Sequence, residues 1–112
     1  MPTKCWGQLL KINFDLDTKC KIDYTTKFKS QLKKVLKQGK NSKELLDVVT
    51  KLANLQELEP KYRNHDLIND KTYRDCKECH IKPDWLLVYK YINNKLVLLL
   101  LATDSHSEIL NK

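Results

Sequence analysis

The chain has 112 residues, enough for one compact core but not for two. Hydrophobic residues make up 41% of it and it holds only two glycines and three prolines, which excludes a disordered tail and indicates a folded globular domain. Its formal net charge is +7, from 21 basic and 14 acidic residues, and this surplus favours a polyanionic partner or an acidic protein partner.

The sequence carries no sign of export or of membrane insertion. Its first residues, MPTKCWGQLLKINFDLD, lack the sustained apolar stretch of a signal peptide. The longest apolar run, Leu96 to Ala102, is far shorter than the roughly 20 residues that span a bilayer. We therefore expect a cytoplasmic protein whose four cysteines are free thiols.

Two amphipathic helices are predicted in the first half of the chain. Thr25 or Thr26 can cap the first, which ends at Gly39, a residue suited to the left-handed backbone that follows many helices. Ser42 can cap the second, with Glu44 favourably placed in its first turn. The apolar stripes are Phe28, Leu32, Val35 and Leu36 in one helix and Leu45, Val48, Val49, Leu52 and Leu55 in the other.

The remaining segments predict strands and one long loop. Residues 21–24 alternate polar and apolar side chains, as in a strand, and residues 57–72 are polar and typical of an exposed loop. The apolar segments 84–92 and 95–101 are joined by two asparagines at 93–94, which predicts a two-residue hairpin turn. The second segment does not alternate, which indicates a central strand buried on both faces. The predicted class is α+β, with two N-terminal helices followed by an antiparallel sheet.

The string Cys76-Lys-Glu-Cys79-His80 raises the possibility of a metal or haem site. Haem attachment requires an oxidising compartment, which nothing in the sequence indicates. Zinc could take Cys76, Cys79, His80 and one further histidine, but the second ligand pair typical of zinc sites is missing. Two hypotheses therefore stay open for Cys76 and Cys79: they belong to a metal-binding module, or their spacing on one strand is accidental.

The three histidines all lie in the second half of the chain, and none sits mid-strand on an apolar stripe, although a histidine at a strand end is often only a satisfied polar residue. His65 falls in the long loop, His80 before Pro83, and His106 after the last strand. Histidine exchanges protons near neutral pH, so these residues suit general acid and base catalysis on a phosphodiester, with Arg74 as a cation for the developing charge.

Three strings of the sequence resemble the YafQ-type toxins of the RelE/ParE superfamily. They are His65-Asp66-Leu67, the run Glu78-Cys79-His80-Ile81-Lys82-Pro83-Asp84-Trp85-Leu86-Leu87-Val88-Tyr89, and Ser105-His106-Ser107-Glu108-Ile109-Leu110. The resemblance implies a RelE-like toxin domain at residues 21–112, with the two helices on a curved antiparallel sheet. It also implies a ribosome-dependent endoribonuclease that cuts mRNA in the A site without a metal or cofactor, inhibits translation, and forms a hetero-oligomer with a DinJ- or RelB-like antitoxin.

The resemblance also implies which residues act. His65, His80, Asp84 and His106 correspond to the functional residues of the family. We expect His80 and His106 to be the acid–base pair, Asp84 to orient or tune one of them, and His65 to lie near the scissile phosphate. Contacts with RNA are expected from Arg74, Lys82, Trp85 and Leu110, although core packing is a competing interpretation of Trp85.

The chain departs from the family pattern in its last strand and at its N-terminus. Several relatives have an arginine where this chain has Ala102, and many have a glycine where it has Asp104 and a phenylalanine where it has Leu110. The changes at Ala102 and Asp104 reduce positive charge near His106 and motivate an alternative: a catalytically weak relative that inhibits translation or binds its antitoxin without cutting RNA. The resemblance does not cover residues 1–20, and three interpretations of this segment stay open. It is translated from a start codon upstream of the true one, it adds a strand at residues 12–16, or it is an addition that faces the antitoxin.

Overall fold

The computed structural model describes residues 18–67, 73–105 and 108–109, and within them two helices pack on a five-stranded sheet. The elements are strand β1 (Lys21–Tyr24), helices α1 (Thr26–Lys37) and α2 (Ser42–Ala53), a 3-10 turn (Pro60–Tyr62), and strands β2 (His65–Asp66), β3 (Lys77–Lys82), β4 (Trp85–Ile92) and β5 (Val97–Asp104). The strand expected at 12–16 lies outside the described residues.

The sheet is mixed, with strand order β1-β5-β4-β3-β2. Strand β1 runs parallel to β5, with Ile22 opposite Leu98, and the other neighbouring strands run antiparallel. The predicted class and the two helices on a sheet are confirmed. The parallel edge strand was not predicted, because alternation at 21–24 shows a strand but does not identify a partner at the far end of the chain.

Residues at the helix ends determine where each helix begins and stops. The Thr25 side chain accepts a hydrogen bond from the backbone N–H of Phe28 at 3.0 Å, as an N-cap does. Gly39 has φ +95°, the left-handed conformation expected at the end of α1. The cap of α2 is Asn41 rather than the predicted Ser42, because Asn41 is the last residue with extended backbone and its side chain accepts a hydrogen bond from the N–H two residues on.

Both helices bury their apolar stripes against the same side of the sheet. Side chains of β3, β4 and β5 complete this core, and most of the two predicted stripes is buried. Leu36 is only half-buried, and the prediction for Leu55 is wrong, because Leu55 follows the end of α2 and is 46% exposed. The buried members from the sheet are Cys79, Ile81, Trp85, Leu87, Tyr89, Leu98 and Leu100. Each described helix has twelve residues, and none is long and apolar enough to cross a membrane.

The connection between β4 and β5 is longer than predicted. It comprises residues 93–96, in which Asn93, Asn94 and Lys95 have φ of 55°, 56° and 66°, so the left-handed region extends one residue beyond the asparagines. Leu96 is 59% exposed and lies before the strand. Strand β5 is central, as predicted, but its first residues alternate between half-buried and buried instead of being buried on both faces.

Leu100 and Leu96 provide a matched test of this register. Leu100 is fully buried beneath the helices whereas Leu96 is exposed. We expect Leu100→Ala to lower the free energy of unfolding by about 2–5 kcal/mol, and Leu96→Ala by less than about 0.5 kcal/mol. Urea unfolding followed by circular dichroism measures both, and equal losses would contradict the assigned start of β5.

Candidate active site

Strand pairing brings His65, Glu78 and His80 together on the sheet. His65 in β2 lies opposite Glu78 in β3, and His80 is two residues further along the same strand. Side chains alternate along a strand, so Glu78 and His80 share one face while Cys79 and Ile81 pack toward the helices. Two of the three predicted histidines thus meet at a carboxylate that sequence reasoning did not select.

The three side chains are in direct contact. Oε1 of Glu78 lies 3.3 Å from Nε2 of His65 and 3.8 Å from Nε2 of His80, and the two imidazole centroids are 6.4 Å apart. The Glu78 side chain is 2% exposed, that of His80 15% and that of His65 49%. A buried carboxylate therefore lies under two histidines that solvent and substrate reach to different degrees.

The second nitrogen of each ring fixes where its exchangeable proton lies. Nδ1 of His65 is 2.6 Å from the carbonyl oxygen of Arg63, and Nδ1 of His80 is 3.3 Å from that of Pro83. A carbonyl oxygen only accepts, so each Nδ1 carries a hydrogen and donates it. Nε2 is therefore the nitrogen of each ring that is left to exchange a proton, and in both rings it faces the carboxylate of Glu78.

The second carboxylate oxygen of Glu78 has spare accepting capacity. Oε2 is buried and has no hydrogen-bond partner among the described residues. An unsatisfied buried carboxylate oxygen is costly, and such atoms in folded proteins are accounted for by function, water or an ion. The sequence signal that could have identified Glu78 is its spacing of two from His80 on a strand, which places both on one face.

Asp84 and Lys82 lie at the turn that follows His80. Asp84 is exposed in the tight turn between β3 and β4, and its carboxylate makes no ion pair or hydrogen bond in the part of the chain that the structure describes. The chain reverses direction at Pro83 and Asp84, between the end of β3 and the start of β4. Lys82 is exposed and pairs with Glu44 of α2 at 2.8 Å.

Trp85 belongs to the core. It is 1% exposed on the helix side of the sheet, and its indole Nε1 donates to Oγ1 of Thr103 at 2.8 Å. The ring has no free face for a base, so the expected RNA contact at Trp85 is corrected to core packing. Arg74 is exposed in the turn before β3, and His106 and Leu110 lie outside the described residues.

Cys76 and Cys79 do not converge on one point. Cys79 packs under the helices, whereas Cys76 packs in the small cluster on the opposite face of the sheet. Burial, with a smaller contribution from the charge of Glu78, raises the pKa of Cys79 to about 12. Among residues 18–67, 73–105 and 108–109, no three histidine, cysteine or acidic side chains form a group able to hold a metal ion.

Two of the residues that depart from the family pattern, Ala102 and Asp104, are buried in the structure. Ala102 is buried against Leu86 and Val88 on the face opposite the helices. Asp104 is 3% exposed, and its Oδ2 lies 2.8 Å from Nζ of Lys34 on α1. The hydrogen bond to Asp104 is the main reason that the pKa of Lys34 is raised.

The chain is similar in sequence to known bacterial toxins. The family model described as bacterial toxin of type II toxin–antitoxin system, YafQ, matches residues 20–111. The mRNA interferase toxin YafQ of Escherichia coli BL21-DE3 is 35% identical over 78 residues, which are 68% of this chain and 80% of that protein.

Solved structures of similar proteins share the fold. A metal-bound toxin from Helicobacter pylori is 42% identical, with a TM-score of 0.71 over 79% of this chain and 96% of that one. The Escherichia coli DinJ–YafQ toxin–antitoxin complex contains a chain 25% identical to this one, with a TM-score of 0.71 over 81% of this chain and 97% of that one.

The cysteine geometry predicts resistance to alkylation. With its pKa raised to about 12, Cys79 has a thiolate fraction of only about 10⁻⁴ at pH 8. We expect iodoacetamide to modify Cys79 at least ~100-fold more slowly in the native protein than in urea, as measured by peptide mass spectrometry. The rate should not change with EDTA. Protection that a chelator removes would contradict this account and support the metal hypothesis.

Proposed function

The chain belongs to the YafQ family of bacterial toxins from type II toxin–antitoxin systems, and on that basis we propose that it is an endoribonuclease that cuts mRNA in the A site of the translating ribosome. The observation that carries this proposal is the contact of the Glu78 carboxylate with Nε2 of both His65 and His80. Two proton-exchanging rings on one buried anion are suited to acid–base chemistry at neutral pH. Cleavage there inhibits translation in the cytoplasm.

The proposed reaction uses the 2′-hydroxyl of the RNA as nucleophile. A general base takes the 2′-hydroxyl proton, the 2′-oxygen attacks phosphorus, and the bond to the 5′-oxygen breaks as a general acid protonates that oxygen. His80 and His106 take these two roles in our proposal, with His65 near the scissile phosphate and Asp84 beside the RNA path. No step is assigned to a metal.

Glu78 acts on the histidines in this scheme. Its negative charge lies next to Nε2 of His80, the nitrogen that exchanges a proton with the RNA in this scheme. The carbonyl oxygens of Arg63 and Pro83 hold the opposite nitrogens, so both rings keep their orientation as they exchange protons.

The partner is proposed from the relatives. The Escherichia coli YafQ structure contains the antitoxin DinJ, and we propose a DinJ-type antitoxin that forms a hetero-oligomer with this chain. The net charge of +7 suits both an acidic antitoxin and the phosphates of ribosome and mRNA.

A second candidate is a relative that inhibits translation or binds its antitoxin without cutting RNA. The buried Ala102 favours it, because this position of β5 supplies no cation for a phosphorane. The two candidates differ in a single product, the cut mRNA.

Primer extension on a reporter mRNA in a reconstituted translation system separates them. We expect codon-positioned cuts with the wild type and at least ~100-fold slower cutting with His80→Ala and with His106→Ala, the scale of general acid–base catalysis. Stalled ribosomes without cuts would establish the second candidate. Cuts that survive both substitutions would leave the acid–base mechanism without support.

Glu78→Gln tests the carboxylate in the same assay. The amide keeps the size of the side chain but removes the negative charge beside the histidines, so cutting should slow at least tenfold with the fold retained. Glu59→Gln is the matched control, because that carboxylate is 58% exposed and contacts Lys51 on the surface. Equal rates for the two variants would contradict the role given to Glu78. Thermal unfolding verifies that both variants remain folded.

A further inference from the structure

A cavity of about 310 Å³ opens beside His80. The 3-10 turn, the end of β3 and the first turn of α2 form its walls. Its lining residues are Glu44, Lys61, Tyr62, Arg63, His80, Ile81, Lys82 and Pro83. This volume is at the lower end for small-molecule sites, so it accommodates one nucleotide unit but not a duplex.

The cavity has a surplus of positive charge. Three cationic side chains line it against one carboxylate, Glu44, which is already paired with Lys82 at 2.8 Å. Neither Lys61 nor Arg63 has a carboxylate partner among the described residues, and Nζ of Lys61 lies 5.1 Å from the ring centroid of Tyr62. Two uncompensated cations facing one concave space attract an anion.

Arg63 links this cavity to the catalytic histidines. It has φ 47° and closes the 3-10 turn, with its N–H donating to the carbonyl oxygen of Pro60 at 3.0 Å. Its own carbonyl oxygen accepts a hydrogen bond from Nδ1 of His65 at 2.6 Å, and Arg63 also lines the cavity next to His80. An anion bound by Arg63 therefore lies beside the residues proposed to cut RNA.

We propose that this cavity is a subsite for a backbone phosphate of single-stranded RNA adjacent to the scissile one. Arg63 grips the phosphate through its planar guanidinium, which can present two N–H groups to two phosphate oxygens. Lys61 adds charge from the same wall. The inference rests on the proposed function for its substrate class, and it adds a residue, Arg63, that fixes the path of the strand past His80.

The test measures binding alone, so that it does not depend on catalysis. A fluorescein-labelled single-stranded hexadeoxynucleotide, which has no 2′-hydroxyl and cannot be cut, is titrated with wild type, Arg63→Gln, Arg63→Lys and Lys21→Gln while fluorescence anisotropy is recorded. Lys21→Gln is the control, because it removes one exposed charge from β1 at the opposite edge of the sheet.

We expect Arg63→Gln to weaken binding about tenfold and to reduce the slope of log affinity against log salt by about 0.7, the value for one phosphate of a single strand. The affinity of Arg63→Lys should lie between those of the wild type and Arg63→Gln, because lysine keeps the positive charge but lacks the planar guanidinium group. Equal weakening by Arg63→Gln and Lys21→Gln, or no binding by the wild type, would overturn the subsite. Absence of mRNA cutting with Arg63-dependent binding retained would instead refute the nuclease proposal and leave the phosphate site standing.

Discussion

The pairing of β4 with β5 is the constraint on which the rest of the structure depends. Both strands are central, and their buried side chains support the helices on one face and a smaller cluster on the other. A shift of one residue in a strand exchanges its two faces. Strand β3 pairs with β4, with His80 opposite Leu86. The position of β4 in the sheet, which its pairing with β5 fixes, therefore determines that Glu78 and His80 face away from the helices.

The buried Glu78 shows how stability and function meet at this site. Removing a carboxylate from water is expensive, and replacing a buried ion pair by apolar side chains is often neutral or stabilising. One carboxylate oxygen lies beside two histidines, and the other has no hydrogen-bond partner among the described residues. This arrangement suits the proton transfer that we propose and is not one that folding alone favours.

The parts of the fold that were predictable are those encoded locally. Thr25 and Gly39 fix the ends of α1 through bonds and dihedral angles within a few residues, and the apolar period of each helix is visible in the sequence. The parallel β1–β5 pair and the approach of β2 to β3 depend on contacts between distant segments, which no local pattern specifies. Glu78 escaped sequence reasoning for the same reason, since its importance comes from His65 across the strand pair.

The ion pair of Asp104 bears on whether this chain has a functional site at all. As a sequence change, an aspartate two residues before His106 places negative charge where a phosphorane needs positive charge. In the structure the Asp104 carboxylate contacts Lys34 at 2.8 Å and accepts a hydrogen bond from the backbone N–H of Ser105 at 2.8 Å, so its charge is offset by neighbours. Two departures from the family pattern, Ala102 and Asp104, favour a relative that does not cut RNA. Because the charge of Asp104 is offset, only Ala102 still supports that alternative. In the function that we propose, positive charge comes instead from Lys61 and Arg63, which line the cavity beside His80 and have no carboxylate partner among the described residues.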